Sequence, residues 1–291
     1  MFVLAHVSDL HMAGRPRLGE LAGKRGLGFI NWQRKRKYIH RLDVLAAITR
    51  DLQARSAEHV AVTGDLTNFS LPGEYAWAKR WLESIGQPTD VTVIPGNHDV
   101  YVRSAGELPT KFWGDYMRGD DELERFPFVR RRADVALIAL STAVSTGPFM
   151  ATGRLGERQL ARLAEALEQT RGSFRTVLIH HPPLSPARRF FRRLIDGADL
   201  RRVLAATGAE LLLHGHDHRR SLVWLQGTGN RKIPAVGVPS ASANAKHGNE
   251  DPAGYNIFRI ERSSDNWRCE TVSYQRGVDG TIRECARFRI Y

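Results

Sequence analysis

The sequence predicts an α/β protein in which two packed β-sheets are flanked by helices. Three observations carry this expectation. Apolar, β-branched runs alternate with helix-period segments through residues 2–214. Beyond residue 220 the helical period disappears and five strand-like runs follow. Metal-ligand and acid/base residue types gather just past the ends of the apolar runs, which is where open α/β sheets place their ligand sites.

The first strand is predicted at 2–8, and further strands at 59–63, 90–94, 134–141, 175–180 and 210–214. Helices are predicted between them at 41–55, 73–86, 156–170 and 199–206. In 41–55, Leu42, Leu45, Ala46, Ile48, Thr49 and Leu52 recur at helical spacing, and in 156–170 Leu160, Leu163, Ala164 and Leu167 do the same. The later segments 220–226, 233–238, 255–261, 267–275 and 281–290 read as strands separated by turns. No repeat or long Pro/Gly-rich linker divides the chain, so residues 1–291 are expected to form a single domain. Within it, 14–40 and 187–198 read as inserts at the rim of a site, and 220–291 as a β-rich portion of the same domain.

Bulk composition fits a globular core: 42% of the 291 residues are apolar and 25% charged. Cys269 and Cys285 lack metal-type spacing and read as reduced core thiols. Nothing resembling a signal peptide precedes the first strand, and no apolar run nears the ~20 residues of a membrane span. A cytoplasmic location is expected, with peripheral contact at the inner face of a membrane left open. The net charge of +12 is localised. Residues 14–41 hold nine Lys/Arg against one Glu, and 187–202 hold six Arg against two Asp, so the remainder of the chain is neutral.

Five short segments carry the chemistry: Asp9-Leu10-His11, Gly64-Asp65, Gly96-Asn97-His98-Asp99, His180-His181 and His214-Gly215-His216. A single Gly-Asp or His-x-His is ordinarily a turn or a surface feature. Together they form a nitrogen and oxygen donor set that suits Mn, Fe or Zn and disfavours a cysteine-type structural zinc. Seven such residues are too many for one ion and suit two.

This series of blocks resembles the calcineurin-like metallophosphoesterase superfamily, with the C-terminal strands similar to those of its bacterial cyclic-nucleotide-phosphodiesterase-like branch. The resemblance implies a four-layer αββα sandwich with a dinuclear metal site at the C-terminal ends of strands. It implies that Asp65 bridges two divalent ions, one also held by Asp9, His11 and His216 and the other by Asn97, His180 and His214. A metal-bridging hydroxide would attack phosphorus, and His98 would serve the leaving oxygen. Many relatives carry an acid three positions after the bridging Asp. Here Asn68 stands there, an acceptor for an imidazole N–H that lacks the charge to stabilise imidazolium. His181 reads as packing or hydrogen-bonding support or as a substrate contact, and His218 as a substrate contact or an exposed residue.

Two function classes stay open: hydrolysis of a cyclic nucleotide or similar small phosphodiester, and hydrolysis of a membrane lipid such as a UDP-diacylglucosamine-type pyrophosphate or a glycerophospholipid. Segments 24–37 and 188–194 mix Lys and Arg with Phe and Trp, which suits a solvated surface loop or helix, an anionic headgroup layer or acyl-chain lid, or steering of an anionic substrate. A nuclease with a nucleic-acid groove is the less favoured reading.

Overall fold

A computed structural model describes residues 1–21, 23–264 and 266–291; the side chains of Leu18, Ala187 and Arg188 also lie outside the described set. In chain order it contains β1 (Phe2–Val7), α1 (Lys24–Asn31), a π-helical turn (Trp32–Arg36), α2 (Lys37–Ile39), α3 (Leu42–Gln53), β2 (His59–Val62), α4 (Pro72–Ile85), β3 (Val91–Val93) and α5 (Leu108–Trp113). There follow β4 (Phe128–Arg132), β5 (Val135–Ala139), α6 (Glu157–Gln169), β6 (Phe174–Leu178), α7 (Gly197–Thr207) and β7 (Leu211–His214). Strands β8 to β12 are Ser221–Gln226, Lys232–Gly237, Gly254–Ser263, Asn266–Arg276 and Ile282–Arg289.

These strands make two six-stranded mixed sheets, ordered β12-β11-β10-β1-β2-β3 and β4-β5-β6-β7-β9-β8. The strands that lead into the five motifs are parallel: β1 with β2 and β2 with β3 in the first sheet, β6 with β7 in the second. Their carboxyl ends therefore point the same way within each sheet.

Strand alternation sorts the core. Leu137, Ala139, Leu178, Leu211 and Leu213 join residues of the first sheet in the larger apolar cluster. Their neighbours Ile138, Val177, Ile179 and Leu212 face the opposite side, against Leu160, Leu163 and Leu167 of α6 and Leu200 and Leu204 of α7. Each such side chain contributes roughly 1.5–3 kcal/mol on burial. A one-residue slip would turn the parallel core of the second sheet inside out.

All the predicted strands and helices form, with ends shifted by a few residues. Strand β4 is an addition. Its sequence Phe-Val-Arg-Arg-Arg hides the apolar alternation, because Arg130 is buried. The Arg130 guanidinium donates to the carbonyls of Arg118, Val91 and Asp115 at 2.6–2.8 Å, which offsets its desolvation. The buried face of α3 is rotated from expectation. Val44, Leu45, Ile48, Thr49 and Leu52 are buried, whereas Leu42 and Ala46 are exposed. Cys269 is buried as expected, but Cys285 lies exposed on β12 rather than in the core.

Candidate active site

Each motif begins within three residues of a strand end, and the backbone there is unusual. Asp9, His11, Asp65, His216 and His218 all have positive φ, between 47° and 67°. Left-handed backbone at non-glycine residues costs on the order of 1–3 kcal/mol each and concentrates at functional sites. Gly64 makes one of these turns possible. Its φ is 98°, and a Cβ there would lie 2.6 Å from the Gly96 nitrogen and 2.7 Å from His180 Nδ1.

Buried carboxylates stitch the motif loops together. Asp99 accepts N–H bonds from Gly96 at 2.9 Å and Thr67 at 2.8 Å, joining the turns after β2 and β3. Burial, followed by the nearby Asp65 charge, pushes the Asp99 carboxyl up to about 7. Glu74 of α4 accepts from Gly14, Phe69 and Leu71 at 2.8–3.1 Å, tying the loop after β1 to the loop after β2.

The donor atoms converge. Asp65 Oδ2 lies 3.4 Å from His180 Nε2 and 4.0 Å from His11 Nε2. On the His180 side, Nε2 is 3.3 Å from both Asn97 Oδ1 and His216 Nδ1. On the His11 side, Nε2 is 3.8 Å from Asp9 Oδ1 and 2.9 Å from His218 Nε2, and that His218 nitrogen is 3.2 Å from Asp9 Oδ1. His180 donates Nδ1–H to the Thr63 carbonyl at 2.7 Å, which leaves Nε2 as the nitrogen facing the site. Asp65 with His180 and His216 forms one three-residue cluster suited to a cation; His11 with Asp65 and His98, and His11 with His40 and His218, form two more.

This donor set fits cations. His11 Nδ1 is buried with no hydrogen-bond partner, and buried Asp9 Oδ1 faces only imidazole nitrogens, His218 Nε2 at 3.2 Å and His11 Nε2 at 3.8 Å. Four imidazole nitrogens and two carboxylates face one small volume, more lone pairs than shared protons satisfy. Burial disfavours charge on His180, but the Asp65 carboxylate overrides it and lifts the imidazole to about 9. Burial likewise opposes charge on His218, which the Asp9 and Glu250 carboxylates raise to about 9.

Of the expected residues, Asp9, His11, Asp65, Asn97, His180 and His216 meet at this cluster. His214 does not join it: it ends β7, with Nδ1 3.1 Å from the Gly215 carbonyl. His218, read from sequence as a substrate contact or surface residue, stands in the cluster instead and is buried. His181 is held by Thr142 Oγ1 at 2.7 Å and donates to the Ala151 carbonyl at 3.1 Å, with its ring 4.2 Å from that of His216. Both its nitrogens are occupied, so it supports His216 by packing. The contact expected between the Asn68 side chain and His98 is absent. His98 Nδ1 donates instead to the Asn68 backbone carbonyl at 2.7 Å, and the Asn68 amide is buried without partners.

Residues outside the motifs also reach the site. His40 brings its ring within 4.4 Å of His11 and 5.4 Å of His218. Arg36 and Arg192, one from each basic insert, line the same cavity of about 290 Å³ together with Asp65, Asn97, His98 and Glu250. The placement of the inserts directly after two motifs was the available signal. Burial, then the Arg36 charge, lowers His98 to about 3.

The chain matches the calcineurin-like phosphoesterase model over residues 2–220 and belongs to that family. It is a hydrolase acting on phosphate esters. It is 28% identical over 232 residues to a probable cyclic nucleotide phosphodiesterase of Synechococcus sp., covering 77% of this chain and 80% of that one. A dimetal phosphatase from Danio rerio superposes with a TM-score of 0.63 at 13% identity, covering 99% of this chain and 98% of the other. Purple acid phosphatase from yellow lupin gives 0.62 at 14% identity, covering 99% of this chain and 53% of the larger plant protein. These structural likenesses establish a common fold. Among the described residues, no helix is long and apolar enough to cross a membrane.

Proposed function

We propose that this chain hydrolyses a small phosphodiester, of which a cyclic nucleotide is the leading case, with two divalent ions. The observation that carries the reading is the position of Asp65 between two donor sets. One set is Asp9, His11 and His218; the other is Asn97, His180 and His216. In this assignment His218 takes a ligand place in the set of Asp9, and His216 moves to the set of Asn97, leaving His214 structural. The oxygen and imidazole donors suit Mn, Fe or Zn. Bound ions of this kind supply water activation at neutral pH and neutralise phosphate charge. Asp65 aligns the two sets, and His98 borders the same cavity. The cavity volume is at the low end for small-molecule sites, which supports a compact substrate. The Synechococcus relative's name supports the same class.

The test is hydrolysis of bis-p-nitrophenyl phosphate and of a 3′,5′-cyclic nucleotide by Mn²⁺-loaded protein. Activity should disappear with chelator, return with metal, and be lost with bound metal in Asp65→Ala. Chelator-resistant turnover would overturn the reading.

A second reading, a lipid phosphoester taken at an anionic membrane, is favoured by the rim of the cavity. Lys24 of the first insert donates to Thr146 at 3.0 Å, and the 146–151 loop joins the second insert through Ala151 N–H to the Phe191 carbonyl at 2.8 Å. Asn31, Ala151 and Arg192, one from each of these segments, line the cavity. Around them Leu27, Ile30, Phe149, Phe190 and Phe191 are exposed, Phe149 by 89%. Trp32 is different: it packs inward against Phe29 and Phe69.

A further inference from the structure

We propose that Arg36 is the group that meets the leaving oxygen of the ester, with His98 as the acceptor that aims it. The proposal rests on the phosphoesterase reading of the site. The π-helical turn Trp32–Arg36 interrupts the insert between α1 and α2, and such turns recur at functional sites. Arg36 ends that turn and is half-buried. Its Nη1 donates to His98 Nε2 at 3.1 Å, and Nη2 lies 3.4 Å from His11 Nε2. Among the described residues, the side-chain partners of this guanidinium are these two imidazoles and no carboxylate. Asp65 and Glu250 share the cavity with Arg36 without pairing with it directly, so its N–H groups stay open to a phosphate oxygen, the partner its fork geometry fits.

The His98 hydrogen bonds decide which residue faces the leaving group as a donor. Nδ1–H is committed to the Asn68 carbonyl, so Nε2 is the bare nitrogen that accepts from Arg36. In this tautomer His98 has no proton to offer at Nε2, while Arg36 has several N–H groups to spare. As a water oxygen bonds to phosphorus, the P–O bond to the departing alcohol breaks and its electron pair stays on the alcohol oxygen. Arg36 N–H stabilises that charge until the proton released by the water is returned to the oxygen.

The test uses the full chain loaded with Mn²⁺ and two diesters that differ only in leaving group: bis-p-nitrophenyl phosphate, which releases the good leaving group p-nitrophenolate, and diphenyl phosphate, which releases the poorer phenolate. Arg36→Ala should lower kcat/KM about 10²- to 10³-fold for diphenyl phosphate, the scale of losing an oxyanion donor, and clearly less for the nitrophenyl ester. Arg36→Lys should restore part of the difference. Calorimetric affinity for inorganic phosphate should fall in Arg36→Ala while metal content stays at the parent level. Equal losses on both esters, or unchanged phosphate affinity, would overturn the assignment. If the parent hydrolyses neither ester the phosphoesterase reading fails, and the phosphate titration still reports on Arg36 as an anion-binding residue.

Discussion

The backbone carbonyl of Asn68 accepts a hydrogen bond from His98 Nδ1 at 2.7 Å, and the Asn68 side chain takes no part in it. The tautomer of His98 is therefore set by main chain. Replacing the Asn68 side chain leaves that bond in place. Asn68→Ala should keep kcat/KM within about threefold of the parent, under 1 kcal/mol of transition-state energy. Because both amide polar atoms are buried without partners, its stability should match or exceed the parent's by up to about 1 kcal/mol. Diester kinetics with a urea melt check both; a hundredfold loss would show that the amide acts on chemistry.

His218 and His214 separate by metal content. His218→Ala should retain about one tightly bound ion per chain in place of two, since it removes one donor beside Asp9 and His11. His214→Gln should retain both. Elemental analysis after dialysis decides the matter, and the opposite pattern would return the ligand role to His214.

The exposed aromatic rim predicts vesicle binding. The parent should co-sediment with vesicles rich in anionic phosphatidylglycerol and far less with neutral phosphatidylcholine. Phe190→Ser with Phe191→Ser should weaken that binding by about tenfold or more while leaving hydrolysis of a soluble diester unchanged. Absence of binding by the parent would remove the membrane reading and leave the small-diester reading standing.

Acid sensitivity has a component far from the site. His59 is buried in β2, bonded to Thr92 Oγ1 at 2.7 Å, and burial with the Arg130 and Arg132 charges lowers it to about 3. Its folded-state value lies below the ordinary 6.5, so the unfolded chain binds more protons between these limits. Stability from this residue is complete above pH 6.5 and is lost as pH falls toward 3. The loss should reach about 2 kcal/mol at pH 5. Urea melts at pH 8 and pH 5 should show a smaller difference for His59→Gln than for the parent; an equal difference would dismiss the role.

The reading from sequence succeeded where one residue type had one local environment. Val60-Ala61-Val62 and Leu211-Leu212-Leu213 are apolar on both faces because both faces are buried, and the motifs after them are strand ends for that reason. It faltered where patterns overlap. His214, His216 and His218 make two interleaved His-x-His pairs, and only the left-handed turns at His216 and His218 determine which pair reaches the cluster. Arg130 hid β4 because a buried guanidinium satisfied by carbonyls looks, as a letter, like a surface charge. Arg36 and His40 carried no motif at all; their place follows from how the end of the insert pairs with residues 242–244, through Arg41 N–H to the Ser242 carbonyl and Asn244 N–H to the Ile39 carbonyl, a tertiary fact without a local signature.

The donor cluster draws on both halves of the sandwich. Asp9, His11, Asp65 and Asn97 follow strands of the first sheet, whereas His180, His216 and His218 follow strands of the second. Bonds such as His216 N–H to Asp9 Oδ2 at 3.0 Å cross the gap. The spacing of the cluster is thus a direct gauge of how the two sheets are stacked. A substitution at an interior contact such as Leu178 or Leu213, which touches no substrate, would alter turnover by sliding one half of the gauge against the other.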